Sequence, residues 1–293
     1  MGRHRLLPRR AVMLALALLP ALVLADAKGD TEEKQTGGPY VPTPQVVVDE
    51  MLRMGQVGPR DFLVDLGSGD GVIVLTAAQR FKARGLGVDI DSDLVARSNY
   101  EAKRLGVSKL AEFRVEDVFK ADIRRASVVT LYLLPEMMLN LRGKLLAELR
   151  PGTRVVSHDY TFGGWQPDDQ YTWDVPEKEA INGTPQATVY LWIVPASVAG
   201  RWEVRSTAPT ADRFELALRQ QFQNIDGTVT GGLAQAIRLS LALLRGQEIT
   251  FAFAAGNRRY VFAGRVDGDT MSGTVRLADG GSAGRWTASR LRP

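Results

Sequence analysis

Residues 64–71 read Val-Asp-Leu-Gly-Ser-Gly-Asp-Gly, directly after the apolar run Phe62-Leu63-Val64 and directly before a helical pattern. A glycine-rich turn between a strand and a helix lets the backbone approach a ligand closely, and it presents the unpaired N–H groups of the helix start. Val72 stands where a dinucleotide fingerprint has its third glycine, so the spacing of Gly67, Gly69 and Gly71 points away from a nicotinamide cofactor. Two acidic stretches follow at comparable strand ends. In Gly87-Val88-Asp89-Ile90-Asp91, Asp89 can accept both hydroxyls of a ribose, a charge-assisted contact of roughly 1.5–3 kcal/mol. In Val115-Glu116-Asp117-Val118-Phe119, Asp117 can accept an aromatic amine while Val118 offers a backbone N–H to the ring. Each residue also has a plain reading. A glycine turn can serve tight packing, Asp91 caps the next helix, and Asp117 can be a turn former.

These residues need elements to hold them. From Asp61 onward strands expected near 62–66, 84–89, 111–115, 127–133 and 153–158 alternate with helical patterns near 71–82, 92–105 and 135–149. Such alternation implies crossover connections and a mainly parallel sheet covered on both faces, an α/β doubly wound fold. Two further strands, near 171–175 and 187–194, show no convincing helix between them and close the sheet as an antiparallel hairpin edge. A helix from Thr43 or Pro44 to about Met54 precedes the sheet, with Val47, Val48, Met51 and Leu52 at helical spacing.

After about Ala196 the pattern changes to period two. Phe214-Glu215-Leu216-Ala217-Leu218, Thr250-Phe251-Ala252-Phe253 and Tyr260-Val261-Phe262-Ala263 are separated by Ala255-Gly256-Asn257, Asp267-Gly268-Asp269 and Asp279-Gly280-Gly281. That predicts a small antiparallel β barrel or sandwich. Gly-Arg-Trp occurs at 200–202 and again at 284–286, which suggests first and last strands that pair and bury Trp202 and Trp286 in one core. The alternative is a pair of tryptophans that stack on carbohydrate.

The chain has 293 residues, no cysteine and two histidines, His4 and His158. Thiolate chemistry and disulfides are thereby excluded, and a histidine-built metal site is disfavoured. Arg3, Arg5, Arg9 and Arg10 followed by the apolar stretch 11–25 read as an export signal over 1–27, with an uncleaved anchor as the alternative. Residues 28–39 read as a flexible tether, and the expected domains are 40–196 and 197–293. The signal carries four arginines and one aspartate of a chain whose net charge is +4, which leaves about +1 without it. The basic balance is therefore no argument for nucleic acid. Expected instead are an exported location and a transient membrane contact through the signal.

The run from Asp61 to about Tyr160 resembles the class I S-adenosylmethionine-dependent methyltransferases. The resemblance implies a seven-stranded Rossmann-like sheet and S-adenosylmethionine as cofactor. It also implies that Asp65, Gly67 and Gly69 line the methionine end, that Asp89 holds the ribose and that Asp117 holds the adenine. Pro39-Tyr40-Val41-Pro42-Thr43-Pro44, Leu131-Tyr132-Leu133-Leu134-Pro135 and Val155-Val156-Ser157-His158-Asp159-Tyr160 narrow it further. Together with the glycine loop they resemble a bacterial group related to mitochondrial lysine methyltransferases acting on the ATP synthase c-subunit and the adenine nucleotide translocase. This covers roughly residues 39–165, and neither the C-terminal β region nor the export signal belongs to it. Tyr40 either folds over the cofactor or packs on the sheet.

A lysine acceptor must lose a proton before it can take a methyl group. Candidates at the right sheet edge are Tyr132, Glu136, His158 and Asp159, with His158 and Asp159 the expected catalytic pair. An imidazole with an unperturbed pKa near 6.5 suits proton removal at neutral pH, although a structural histidine at a strand end is the plainer reading. The Asn-Pro-Pro-Tyr motif of amino-methylating nucleic-acid enzymes is absent, because Leu134-Pro135 occupies that strand end. The expected acceptor is a protein lysine or a small molecule, and no nucleic acid. A different class of function remains beside this one, an exported binding protein that keeps the fold without catalysis.

Overall fold

The computed structural model describes Gly38 and residues 40–208, 212–231 and 235–292. The expected export signal at 1–27, and the tether at 28–39 apart from Gly38, lie outside the described residues. The described residues fall within one compact unit that contains two sheets.

The first sheet is built from Phe62–Leu66 (β1), Arg84–Asp89 (β2), Ala111–Val115 (β3), Val128–Leu131 (β4), Arg154–His158 (β5), Asp169–Asp174 (β6) and Gln186–Ile193 (β7). Their order is β3-β2-β1-β4-β5-β7-β6. β1 to β5 pair in parallel, and β7 runs antiparallel to both β5 and β6. The strand order reverses at β1, between β2 and β4, which is where an open α/β sheet leaves a crevice beyond its carboxyl ends.

Alternation along the strands fills both faces. Leu63 and Val156 join one core with Val47, Val48, Met51 and Leu52 of Gln45–Met54 (α1), with Val74 and Ala77 of Val72–Phe81 (α2), and with Ala102 of Ser92–Arg104 (α3). Val64, Leu66, Val88, Val129 and Val155 point the other way, onto Met138, Leu141 and Leu145 of Pro135–Glu148 (α4). The expected antiparallel pair closes the sheet as β7 and β6, with one correction: a helix, Pro176–Asn182 (α5), lies between them. The only buried residue of α5 is Lys178, so this helix has no apolar stripe by which its sequence announces it.

The second sheet is an antiparallel meander of nine strands: Gly200–Ser206 (β8), Arg213–Gln221 (β9), Asn224–Thr230 (β10), Ile237–Arg238 (β11), Leu241–Arg245 (β12), Glu248–Ala255 (β13), Arg258–Asp267 (β14), Thr270–Leu277 (β15) and Ser282–Arg290 (β16). β8 pairs with β16, so the first and last strands lie side by side and the sheet curls into a half-barrel. Between β11 and β12, Leu239 N–H donates to Gly227 of β10 at 3.0 Å and Ser240 N–H to Ala252 of β13 at 2.7 Å, drawing the two ends of the sheet together.

Trp202 and Trp286 are both buried in the half-barrel core. Their indole N–H groups donate to Val198 O at 2.9 Å and Ala263 O at 3.2 Å. Phe251 and Phe262 meet Trp286 edge-on at 5.2 and 6.0 Å, and Phe251 and Phe253 each stack on Phe262. Stacked rings fill this interior, and neither indole face is open for a sugar. We therefore predict that Trp286→Ala lowers unfolding free energy by about 3–5 kcal/mol, the cost of an aromatic cavity. Urea denaturation checks it, and a loss under about 1 kcal/mol would contradict the packing described.

Candidate active site

The crevice at the strand reversal is shaped by the turn from β1 into α2. Gly67, Gly69 and Gly71 all adopt positive φ, at 80°, 51° and 80°. The N–H groups of Gly67 and Ser68 both donate to Val88 O, at 2.9 and 3.0 Å, so the turn is sewn to β2. Two of the glycines have no room for a side chain. A Cβ on Gly69 would fall 2.6 Å from the Tyr40 ring, and one on Gly71 would fall 2.7 Å from Phe113. Tyr40 therefore lies across the loop, half-exposed, while Gly38 packs against Leu134 beyond β4. The chain preceding α1 thus crosses two of the loops that frame the crevice. Burial, and then the neighbouring Asp70 carboxylate to which it hydrogen-bonds, push the Tyr40 phenol well above its ordinary range.

Asp89 closes the turn from the side. Its Oδ2 accepts from Gly69 N–H at 2.9 Å and its Oδ1 from Asp91 N–H at 3.0 Å. Each oxygen keeps a second lone pair for an incoming hydroxyl. Asp91 caps α3, accepting from Asp93 and Leu94, as its sequence position suggests. Asp117 sits in the turn after β3, where its Oδ1 accepts from Phe119 N–H at 2.9 Å and its Oδ2 lies 3.3 Å from Lys120. It therefore acts as a turn former, and its carboxylate stands at the same sheet end as Asp89, because Asp89 pairs with Val115. Sequence reasoning passed over two apolar neighbours. Ile90 and Phe119 are 40% and 41% exposed at this sheet end, and with Val115 they offer an apolar wall for a flat ring. An apolar residue one or two positions after the strand-end acid was the available signal.

Asp65 is the electrostatic centre of the crevice. It is buried at the end of β1, and its Oδ1 accepts from Thr130 Oγ1 of β4 at 2.7 Å. Burial pushes its pKa up to about 7, against the opposing hydrogen bond from Thr130, and the Asp89 and Asp70 charges add to the rise. A buried carboxylate in this state suits an ammonium ligand, which would restore its charge. A glycine cradle, a carboxylate ready for a diol, an apolar wall and an acid awaiting a cation together fit an amino-acid nucleoside such as S-adenosylmethionine.

The neighbouring strand ends form a second wall. Tyr132 follows β4, and its ring lies 4.1 Å from that of His158 and 6.2 Å from that of Tyr160, nearly parallel to the latter. Burial, then the Asp159 charge, push the Tyr132 phenol up to about 12. His158 ends β5 fully buried, with neither ring nitrogen hydrogen-bonded. Burial brings its pKa down to about 4 against the pull of Asp159, and Lys178 adds to the fall. The expected titration near 6.5 is thereby corrected. His158 is neutral at physiological pH and a weak base.

Asp159 takes a left-handed backbone, with φ at 62°, and exchanges hydrogen bonds with Thr188 of β7 at 2.7 and 3.0 Å. Its Oδ2 meets the buried Lys178 ammonium of α5 at 2.6 Å, while Nε2 of His158 stands 3.5 Å from Oδ1. Lys178 also donates to Gln186 O. The expected catalytic pair is thus one anion committed to a lysine beside one neutral imidazole. Lys178, hidden in a helix that the sequence did not announce, is the residue sequence reasoning missed here. Glu136 is exposed in the first turn of α4.

Comparison with known proteins accords with this geometry. The model of the ANTKMT methyltransferase domain matches residues 65–169. The chain is 39% identical over 160 residues to a protein-lysine N-methyltransferase of Saccharolobus islandicus (strain REY15A), an alignment that covers 53% of this chain and 93% of that one. It is 39% identical over 133 residues to the ATP synthase c-subunit lysine N-methyltransferase of Mus musculus, covering 44% of this chain and 52% of the mouse protein. The mouse adenine nucleotide translocase lysine N-methyltransferase is 36% identical over 129 residues, covering 44% and 56%. The chain thus spans about half the length of these animal relatives. Among solved structures, an RNA methyltransferase from Salinibacter ruber in complex with S-adenosyl-L-homocysteine is 49% identical, covering 54% of this chain and 96% of that one with a TM-score of 0.48.

The raised Asp65 pKa has a measurable consequence. An ammonium ligand needs the ionised carboxylate, so S-adenosylhomocysteine affinity should weaken as pH falls through about 7, with proton release on binding near neutrality. The stability of the free protein runs the other way. The folded-state pKa lies above the ordinary 3.8, so the neutral form is favoured on folding and stability falls as pH rises from about 4 to about 7. Calorimetric titration in buffers of different ionisation enthalpy reads the binding arm, which Asp65→Asn should flatten. A wild-type affinity that does not change between about pH 6 and about pH 8 would contradict the assignment.

Proposed function

The chain belongs to the S-adenosylmethionine-dependent methyltransferases, in the family that includes the archaeal protein-lysine enzyme, and from that premise we propose that it methylates the side-chain amine of a protein lysine. The observation that carries the lysine reading is the 39% identity spread over 93% of that enzyme. The aromatic wall formed by Tyr132, His158 and Tyr160 supports it from the side of the site.

When bound, the cofactor supplies a sulfonium methyl group that transfers by in-line displacement. Asp65 would hold the ammonium of its methionine end, beside the backbone of Gly67 and Gly69. Asp89 would take the ribose diol with its free lone pairs. The exposed Ile90 and Phe119 would receive the adenine and Asp117 its amine, while Tyr40, which lies over the loop, would keep water out.

The acceptor side works by desolvation more than by proton abstraction. With a pKa of about 4, His158 holds a proton poorly, and Tyr132, at about 12, keeps its own. Asp159 is tied to Lys178. A lysine inserted beside these rings loses water, and burial favours its neutral amine, the form with the lone pair that attacks. Lys178 and Asp159 fix the chain that carries His158, so both act as positioning residues.

We further propose that residues 1–27 carry the chain to or across a membrane, which requires the cofactor to be bound before export or the site to face the cytoplasm. An export-dependent reporter fused after residue 40 tests the crossing: activity supports it, and a silent reporter would refute export and leave the cytoplasm-facing arrangement.

Transfer of labelled methyl from S-adenosylmethionine to poly-L-lysine tests the acceptor, with fully acetylated poly-L-lysine and RNA as the other arms. We expect label on the free amine polymer alone. Label confined to RNA would overturn the lysine reading. The rate should climb with pH from about 7 to about 9, following the acceptor amine, and His158→Asn should leave the shape of that profile unchanged. A pH inflection lost in His158→Asn would instead identify the imidazole as a base.

A further inference from the structure

The half-barrel meets the methyltransferase sheet at Gly246, which lies against Ile193 of β7, at Arg245, 3.9 Å from Asp168, and at the tip of its β9–β10 hairpin. That tip is a two-residue turn, Phe222-Gln223, closed by the Gln221–Asn224 pair. Phe222 adopts a left-handed backbone, with φ at 57°. Glycine is the usual occupant of such a position in a tight hairpin, and a bulky residue there is an outlier. What the ring touches accounts for its presence. It stacks on Trp165 at 6.2 Å with the planes 20° apart, lies 5.6 Å from the Arg142 guanidinium, and borders Gly164. Next to it, Gln223 Nε2 donates to Gln166 O at 2.6 Å.

All of these partners except Arg142 lie in the chain between β5 and β6, and Arg142 itself donates to Phe162 O at 2.8 Å. The segment 159–168 has a single bridge, Phe162 with Trp165, and no strand or helix of its own. Backbone bonds to β7 anchor its two ends, Asp159 N–H to Thr188 O and Asp168 N–H to Leu191 O, both at 2.7 Å, and side chains hold the rest. Phe162, Trp165 and Trp192 pack at 4.7–6.0 Å, and Trp192 Nε1 donates to Trp165 O at 2.9 Å. Its first residues are Asp159 and Tyr160, and Tyr160 stacks toward Tyr132 on the acceptor wall. One face of this segment is therefore the aromatic cluster of the first sheet, the other is the hairpin tip, and its upstream end borders the site.

We propose that the half-barrel is a working part of the methyl-transfer unit: Phe222 is a positioning residue that clamps the segment from Tyr160 to Asp168 and so sets the acceptor wall. The proposal rests on taking Tyr132, His158 and Tyr160 as the acceptor side. The cofactor end, framed by β1, β2 and β3, does not depend on the clamp.

The test compares the full chain with Phe222→Ala and Phe222→Tyr. For Phe222→Ala we expect amide exchange in 160–168 to accelerate about tenfold, while exchange in 62–91 and S-adenosylhomocysteine affinity hold within about twofold. Transfer to poly-L-lysine should show a KM for the polymer raised about fivefold or more with the cofactor KM unchanged, and Phe222→Tyr, which keeps the ring between Trp165 and Arg142, should restore it. Unchanged exchange in 160–168, or a matching loss of cofactor affinity, would overturn the proposal. If Phe222→Ala does not fold, Gln223→Ala, which removes the hairpin tip's hydrogen bond to Gln166 O and leaves Arg142 on Phe162 O, carries the same expectations. A wild-type chain that binds S-adenosylhomocysteine yet methylates no poly-L-lysine counts against the lysine acceptor alone, and the exchange arm then decides the clamp.

Discussion

One carboxylate sets the geometry of the cofactor end. Asp89 binds the backbone N–H of Gly69 with one oxygen and that of Asp91 with the other, so it locks the β1–α2 turn and the entry into α3 against each other. Hydrogen bonds to an ionised acceptor are worth about 1.5–3 kcal/mol each, enough to hold a turn whose glycines all sit at positive φ. Once the turn is held, Tyr40 and Phe113 close on it to distances that leave no space for a Cβ. The same carboxylate keeps lone pairs free for a ligand. The structural role of Asp89 and the binding role proposed for it therefore coincide.

Charge is distributed unevenly between the two halves of the site. At the cofactor end Asp65 is buried without a cationic partner among its described contacts, and its pKa rises to about 7. At the acceptor end the partly buried Asp159 has one, the buried Lys178 at 2.6 Å. A buried carboxylate left unpaired is costly and becomes tolerable where a ligand brings the counter-charge, whereas a paired one serves mainly to fix structure. By that criterion Asp65 is set up for a ligand that brings the counter-charge, as proposed above, while Asp159 is committed to Lys178 and His158 stands neutral beside it.

The sequence revealed what local rules control. Strands and helices through 158 stand within a residue or two of the expected spans, because apolar alternation and glycine punctuation are local signals. The Gly-Arg-Trp repeat revealed the pairing of β8 with β16 and the shared burial of Trp202 and Trp286. Helix α5 was hidden because it buries a lysine and no apolar side chain. The depressed pKa of His158 was hidden for a related reason, since the burial and the Lys178 charge that cause it come from β7 and α5, distant in the chain. Phe222 looks like an ordinary turn residue until the aromatic cluster it meets has been assembled from 162, 165 and 192.

The central claim is that the crevice at the end of β1 holds the cofactor through Asp89. Calorimetric titration of the full chain with S-adenosylhomocysteine, wild type beside Asp89→Ala, tests it most directly. The account predicts one molecule bound per chain and an affinity reduced at least about tenfold in the variant, the worth of one charge-assisted contact. Equal affinity in the two proteins, both folded, would contradict it.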